Sequence, residues 1–388
     1  MKKGYRLLGE FIQQIDVRNT EGKQENLLGV SVQKQFIPSI ANTIGTNFTK
    51  YKVVRKGQFT YIPDTSRRGD KIGIALLEDY DEGLVSNVYT VFEVIDENQL
   101  MPEYLMLWFS RPEFDRYARF KSHGSVREVM DWHEMCKVEL PVPSIEKQRS
   151  IVKSYKTITD RIALKKRIND NLQSQAQTYF NLIIADKDTE KPLPQGWKVA
   201  KVGDYCVDNV ANLSKADDFE SILYLDTGSI TSNYIVELQE LNLLTDEIPS
   251  RAKRKATDGD IVYSTVRPNL RHYGLLQNPP ENLIVSTGFA VLHNKGLEVA
   301  NEFLFMWLTN ESILDYLQAI AENSVSTYPS LNVSDLMNVK VIVPDADTLE
   351  RITRFLSSIF TAISQNNRQI QMLTKSLDTL LPKLLSRR

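Results

Sequence analysis

Polar and basic side chains concentrate in two loops that occupy matching places along the chain. Ser264, Thr265, Arg267, Asn269 and Arg271 share one of them, interrupted by Pro268, and Asp64-Thr65-Ser66-Arg67-Arg68 forms the other. Each loop follows a strand introduced by a glycine, Gly57 in the first case and Gly259 in the second. Hydroxyls, an amide and guanidinium forks are the donors and acceptors with which side chains read the edges of bases. An exposed arginine in a turn is equally an ordinary solvated side chain, so residue type leaves both readings open. Lys34, Asn47, Thr49, Lys50 and Lys52 add further polar and basic groups near the earlier loop. Arg251, Lys253, Arg254 and Lys255 form a run that suits phosphates, which give affinity without sequence information. Ser125 and Arg127, matched by Ser326 and Tyr328, make a third class of loop.

Bond-making chemistry finds little support. Asn278-Pro279-Pro280-Glu281 shares its first three residues with the Asn-Pro-Pro-aromatic motif of amino-methyltransferases. Glu281 replaces the aromatic that would stack on a flipped base, and no Gly-rich cofactor loop follows a strand nearby, so a proline-rich turn is the better reading. There is no Gly-x-x-x-x-Gly-Lys-Ser/Thr phosphate loop. His123, His133, His272 and His293 are scattered, without metal-ligand spacing to a cysteine or to one another. No catalytic residue, metal or cofactor is expected, and the chain reads as a recognition and assembly subunit.

Two long helices must position these loops, and they are copies of each other. In residues 143–185 the apolar positions step by four and three: Ile151, Tyr155, Ile158, Ile162, then Leu172, Ala176, Tyr179 and Ile183, with Lys165 and Asn169 in the intervening slots. In residues 344–388 the same phase gives Ile352, Leu356, Ile359, Ile363, Asn366, Ile370, Leu373, Leu377, Leu380 and Leu384, each 201 residues beyond its counterpart. Such spacing draws one seam along a helix and predicts a coiled coil, a rod of roughly 50 Å. The globular segments repeat as well. Val202-Gly203-Asp204-Tyr205 answers Leu8-Gly9-Glu10-Phe11, and Asp258-Gly259-Asp260-Ile261-Val262-Tyr263 answers Lys56-Gly57-Gln58-Phe59-Thr60-Tyr61. Phe305-Met306-Trp307-Leu308 answers Leu107-Trp108-Phe109. The expected order is a mixed, strand-rich domain over 1–142, a helix over 143–185, a linker and second domain over 186–343, and a helix over 344–388.

Composition sets the bounds. A chain of 388 residues with 42% hydrophobic and 25% charged residues is an ordinary soluble protein long enough for two or three domains. Met1-Lys2-Lys3 leads into no apolar signal segment, and no run is long enough to span a membrane. Cys136 and Cys206 stand alone, which fits a reducing cytoplasm. The net charge of −2 argues mildly against autonomous nucleic-acid binding. Either the basic residues cluster, or a partner supplies much of the phosphate contact.

The ordered duplication resembles the specificity subunits of type I restriction–modification systems over essentially the full length. Leu193-Pro194-Gln195-Gly196-Trp197 is similar to that family's usual lead-in to its second recognition domain. Asp260-Ile261-Val262-Tyr263-Ser264-Thr265-Val266-Arg267-Pro268 is similar to a common recognition-domain loop, and Leu381-Pro382-Lys383-Leu384-Leu385 to the usual C-terminal end. The resemblance implies an α+β fold, with two mixed α/β target-recognition domains separated by two long helices. It implies double-stranded DNA as ligand, each domain reading half of a split, asymmetric target. Its implied partners are two methyltransferase subunits docked on the helices and restriction subunits in the complete enzyme, with no membrane involved. On this reading the DNA-binding residues are Lys34, Lys50, Thr65, Ser66, Arg67, Arg68, Ser125 and Arg127 in the first domain. Lys253, Arg254, Ser264, Thr265, Arg267, Asn269, Arg271, Ser326 and Tyr328 serve the second.

Two competing readings belong to other classes: a two-headed scaffold that binds proteins, which the acidic balance favours, and a divergent methyltransferase resting on Asn278 to Glu281. The polar seam positions predict helix direction. Antiparallel packing with Ile151 opposite Leu384 sets Asn169 against Asn366, where two amides satisfy each other, whereas parallel packing sets Asn366 beside Lys165. Pro382 is expected to end regular helix near the C-terminus. Extra helical residues after Leu182 are expected to lengthen the spacer between the half-sites.

Overall fold

The structure, a computed structural model, describes residues 4–39, 45–65, 71–122, 128–184, 192–214, 216–324 and 328–385. Packing divides the chain into two compact units, residues 1–164 with 370–388, and residues 165–369. The division runs through both long helices instead of at their ends.

In the first unit, strand Tyr5–Leu7 pairs antiparallel with Glu139–Pro141 and closes the domain at the root of the first long helix. The main sheet has four antiparallel strands in the order Ile12–Ile15, Thr90–Val94, Phe59–Tyr61, Ile74–Leu76. Its core is aromatic: Phe59 stacks on Phe92 at 4.9 Å between ring centres, and Phe109 meets Phe59 edge-on at 5.8 Å. Phe109 ends helix Pro102–Phe109, and helix Pro112–Lys121 follows, each with proline in its first turn where the missing N–H costs nothing.

The second unit repeats this plan. Lys198–Lys201 pairs with Lys340–Val343, and the main sheet runs Cys206–Asp208, Phe289–Asn294, Ile261–Ser264, Tyr273–Leu275, again antiparallel throughout. A second four-stranded sheet, Gln239–Asn242, Ser221–Leu225, Leu283–Ser286, Ala252–Lys255, is answered in the first unit by the hairpin Phe36–Pro38/Leu28–Val30 and the pair Glu82–Val85/Lys52–Arg55, linked by a parallel bridge from Leu27 to Leu84. The link between hairpin and pair is parallel in both units, Leu223 to Leu225 against Leu283 to Val285 in the second and Leu27 against Leu84 in the first.

The glycines of the repeated motifs have steric causes. A Cβ on Gly9 would lie 2.8 Å from the Cys136 Cβ, and one on Gly203 would lie 3.1 Å from the Met337 carbonyl oxygen. In both units a short turn is pressed against the short helix that precedes the closing strand. Gly4 and Gly196 stand just before strands Tyr5–Leu7 and Lys198–Lys201 with φ of 84° and 82°, a backbone that side chains resist. Trp197 then donates its indole N–H to Asp345, whose other oxygen accepts the Thr348 amide in the first turn of the second long helix.

The long helices span Ile145–Ile184 and Ala346–Leu385. None of the ten seam positions on the first is exposed, and on the second only Leu380 is, at 36%. Their direction is antiparallel within each unit. In the second, the Tyr179 ring lies 4.2 Å from that of Phe355; in the first, Ile151 and Tyr155 share a core with Leu381, Leu384 and Leu385. The fold is thus α+β, with repeated mixed domains and an antiparallel pair of long helices.

The expected amide pair is present: Asn366 Nδ2 donates to Asn169 Oδ1 at 2.9 Å. Two further bonds correct the expectation that Lys165 meets Asn366 only in a parallel pair. Lys165 Nζ reaches Asn366 Oδ1 at 3.0 Å, and Asn169 Nδ2 donates to Asn367 Oδ1 at 2.8 Å. A lysine stem is long enough to cross one turn of an antiparallel partner. Asn169→Leu is expected to cost roughly 1–3 kcal/mol in denaturant unfolding, because it strands both facing amides; an unchanged midpoint would show that water replaces Asn169 without loss.

Two features differ from the sequence reading. Helix continues through Pro382 to Leu385, because the last turn is held by apolar contacts and Pro382 itself is exposed. Each helix also has a second apolar face. Ala176, Phe180 and Ile184 are buried in the second unit, where Phe180 lies 5.2 Å from Phe303 and 6.4 Å from Trp307, and Phe360 lies 5.5 Å from Phe305. The helices are consequently part of the globular cores as well as of the seam. Among the described residues no helix is long and apolar enough to cross a membrane.

Candidate nucleic-acid interface

Each candidate loop is launched from a turn locked by a buried polar residue. Gly259 turns with φ of 81°, and Asp260 beneath it accepts the Thr257 amide at 2.7 Å and pairs with His293 at 2.8 Å. In the first unit Gly57 turns with φ of 84°, and Gln58 accepts the Arg55 amide and donates to Glu93, both at 2.8 Å. Strands Ile261–Ser264 and Phe59–Tyr61 leave these turns in the middle of their sheets and deliver the loops at the far end.

In the second unit the loop is knitted to residues 328–331. Val266 bridges Ser330, the Arg267 amide donates to the Pro329 carbonyl at 3.0 Å, and Leu331 N–H donates to Thr265 O at 2.7 Å. The first unit repeats the arrangement: Asp64 bridges Val129, and Thr65 N–H donates to Glu128 O at 3.0 Å. The loop classes that looked separate in sequence are one loop pair in each unit. Their side chains then sort by direction. Ser264 is buried, its hydroxyl donating to the Val266 carbonyl at 3.0 Å and accepting the Val266 amide at 3.2 Å. Thr265 donates its hydroxyl to Gly288 O at 3.1 Å, and Thr65 is buried with its hydroxyl on Glu128 O at 3.1 Å. These three expected readers instead hold the loops in shape.

The outward residues are Arg267, Asn269, Arg271 and Tyr328. Arg267 and Arg271 flank the turn Pro268–Leu270 with left-handed φ of 50° and 57°. Non-glycine residues held there carry strain of order 1–3 kcal/mol each, which surrounding structure must impose. The imposing bonds are visible: Pro329 O takes the Arg267 amide, and Gln318 Oε1 takes the Asn269 amide at 3.1 Å. The Arg267 guanidinium lies 5.0 Å from the centre of the Tyr328 ring, and Arg271 Nη2 donates to Glu311 at 2.9 Å.

Several basic candidates are already engaged. The Lys34 side chain is buried; its ammonium donates to Asp115 at 2.7 Å and to Phe109 O at 2.6 Å, and burial pulls its pKa down against the pull of Asp115. It ties the Leu28–Val30/Phe36–Pro38 hairpin to helix Pro112–Lys121 and is withdrawn as a DNA contact. Lys52 is likewise buried, donating to Tyr89 O at 2.8 Å, whereas Lys50 is exposed beyond a turn capped by Asn47, which accepts both the amide and the hydroxyl of Thr49. The 251–255 run is mostly strand, so its members do not form one flat patch. Lys253 is exposed, Arg254 is half-buried with its pKa lowered by burial, and Lys255 is bound to Asp217. Ser66, Arg67, Arg68, Ser125, Arg127 and Ser326 lie outside the described residues.

The buried pair gives a test of this sorting. Asp115→Ala leaves the Lys34 charge alone in the core and is expected to cost about 3–5 kcal/mol in denaturant unfolding. A cost below about 1 kcal/mol would mean that the ammonium finds water, restoring Lys34 as a surface cation.

Comparison with known proteins accords with the repeated architecture. A family profile described as the type I restriction modification DNA specificity domain matches residues 15–174 and again 194–375. The HindI specificity subunit of Haemophilus influenzae is 27% identical over 187 residues, which are 47% of this chain and 39% of that protein. The chain thus spans well under half of that relative's length. The MjaIX specificity subunit of Methanocaldococcus jannaschii is 23% identical over 75% of this chain and 70% of its own. In structure, the S subunit of a type I system from M. genitalium aligns with a TM-score of 0.58 at 14% identity, covering 99% of this chain and 96% of that one, which shows a shared fold. With the same domain profile recurring on both copies of the duplicated sheet, the chain belongs to the type I restriction–modification DNA specificity family.

Proposed function

We propose that this chain is the sequence-reading subunit of a type I restriction–modification enzyme. Residues 1–142 and 186–343 each read one half of a bipartite, asymmetric target in double-stranded DNA. The long helices over 143–185 and 344–388 set the spacing of the halves and dock two methyltransferase subunits, and restriction subunits complete the enzyme. The chain itself carries no catalytic step and works in the cytoplasm. The observation that supports this most is the repeated loop pair, 64–65 with 128–130 and 265–267 with 329–331, presented at the same end of equivalent sheets. Two equivalent platforms with different loop sequences suit two different half-sites.

The test is to map methylated bases in a host that carries the complete system. A split motif with two defined halves and an undefined spacer is expected; an undivided motif would sink the proposal. The scaffold alternative draws on the net charge of −2 and on ion pairs such as Arg271 with Glu311, which neutralise part of the basic surface. Salt separates the two, since binding through phosphates weakens steeply as salt rises.

A further inference from the structure

We infer that Arg267 reads a guanine in the half-site of the second domain and that Tyr328 is its positioning residue. The inference rests on the proposed reading of DNA and names which side chain of the loop carries sequence information, and for which base.

Four observations converge. Arg267 is exposed and, among the described residues, no carboxylate pairs with it, whereas Arg271 in the same loop is engaged by Glu311 at 2.9 Å. Its guanidinium lies over the Tyr328 ring at 5.0 Å, within the range of cation–π attraction. Attraction to a ring face uses no acceptor atom, so guanidinium N–H donors turned away from the ring stay available, and those are the groups that meet a planar acceptor edge in pairs. Its backbone is held in the left-handed region at φ 50° by the Pro329 carbonyl, so the direction in which the side chain leaves the loop is imposed by the fold. Finally, Val266 and Leu270 beside it are exposed at 37% and 45%, apolar neighbours that limit water around a bound edge.

Among the bases, guanine presents two adjacent acceptors, O6 and N7, in the major groove, and a guanidinium fork matches them. Asn269 has its backbone fixed by Gln318 and its side chain outward, which places an amide beside the arginine for a neighbouring base. Arg271, balanced by Glu311, is left with a phosphate or no contact at all.

The experiment uses the full chain assembled with its methyltransferase subunits. The wild-type motif is mapped first, and binding is then measured to duplexes in which single guanines are replaced by 7-deazaguanine, which lacks the N7 acceptor. At one guanine of one half-site the replacement is expected to weaken wild-type binding by about ten- to a hundredfold. Arg267→Ala and Arg267→Lys should accept any base at that position and show no further loss with 7-deazaguanine. The lysine variant keeps the charge, so a loss there separates geometry from electrostatics. Tyr328→Phe keeps the ring and should keep the preference; Tyr328→Ala should lose most of it while the other half-site and the spacer stay as they were. A half-site that keeps its guanine preference in Arg267→Ala overturns the assignment, as does a wild-type motif with no guanine on either strand of either half. Full selectivity in Tyr328→Ala overturns the positioning role. Absence of any split motif in the wild type would instead remove the underlying reading of two DNA half-sites.

Discussion

Inserting seven residues into each long helix, between Leu164 and Lys165 and between Gln369 and Ile370, is expected to lengthen the target's spacer by about three base pairs. Both half-sites should stay unchanged. The positions are those where the chain passes from one compact unit to the other. Seven residues preserve the four-three phase of the seam, so the added turns can pair as the flanking ones do. At 1.5 Å per residue the insertion adds about 10 Å, close to three steps of 3.4 Å along the duplex. Three steps also turn the second half-site by roughly 100° about the DNA axis, so methylation should slow as the duplex or the helices twist to meet it. An insertion after Leu182, which the heptads alone suggest, would fail for a structural reason. Ala176, Phe180 and Ile184 are buried in the second unit, and residues placed between Phe180 and Ile184 would tear that face from its core. Mapping methylated sites in cells with the doubly inserted variant checks the prediction; an altered half-site, or an unchanged spacer at full activity, would mean that the helices do not measure distance.

Ending the chain at Leu380 is expected to unfold the first unit and spare the second. Leu381, Leu384 and Leu385 pack in the core that holds Leu8, Phe11 and Ile151, and Leu385 is only 1% exposed. Replacing one such leucine by alanine typically costs 2–5 kcal/mol, so Leu385→Ala alone should remove a large part of a small domain's stability. Hydrogen exchange separates the units: residues 1–164 should lose protection and residues 165–369 keep theirs. Uniform loss across both units, or none, would show that the C-terminal turn does not close the first core.

How much of this was legible beforehand depends on the range of the interaction. The helices were legible because an apolar seam is written in neighbours three and four residues apart. Even the pairing of Asn169 with Asn366 followed from helix arithmetic. The second apolar face was partly legible, since Ala176, Phe180 and Ile184 also step by four, but nothing local says which of two faces meets a sheet. The candidate site was legible as a place in the chain, less so as a set of side chains. Ser264 and Thr265 look like readers beside Arg267, yet Ser264 closes on the backbone of Val266 and Thr265 donates to the Gly288 carbonyl.

By itself, the sequence determined the duplication, the helix spans, the family and the equivalent places of the two candidate loops along the chain. Tertiary structure alone decided which polar groups remain available to a ligand. Lys34 turns inward because Asp115 and the Phe109 carbonyl come to it from far along the chain, and Thr65 because Glu128 does. Arg267 turns outward because Pro329 holds its backbone and Tyr328 supports its guanidinium. Periodicity is a property of near neighbours and survives in the linear order. The satisfaction of a polar group depends on which distant carbonyl or carboxylate the fold brings within hydrogen-bond reach, and that is fixed only when the sheets and helices pack.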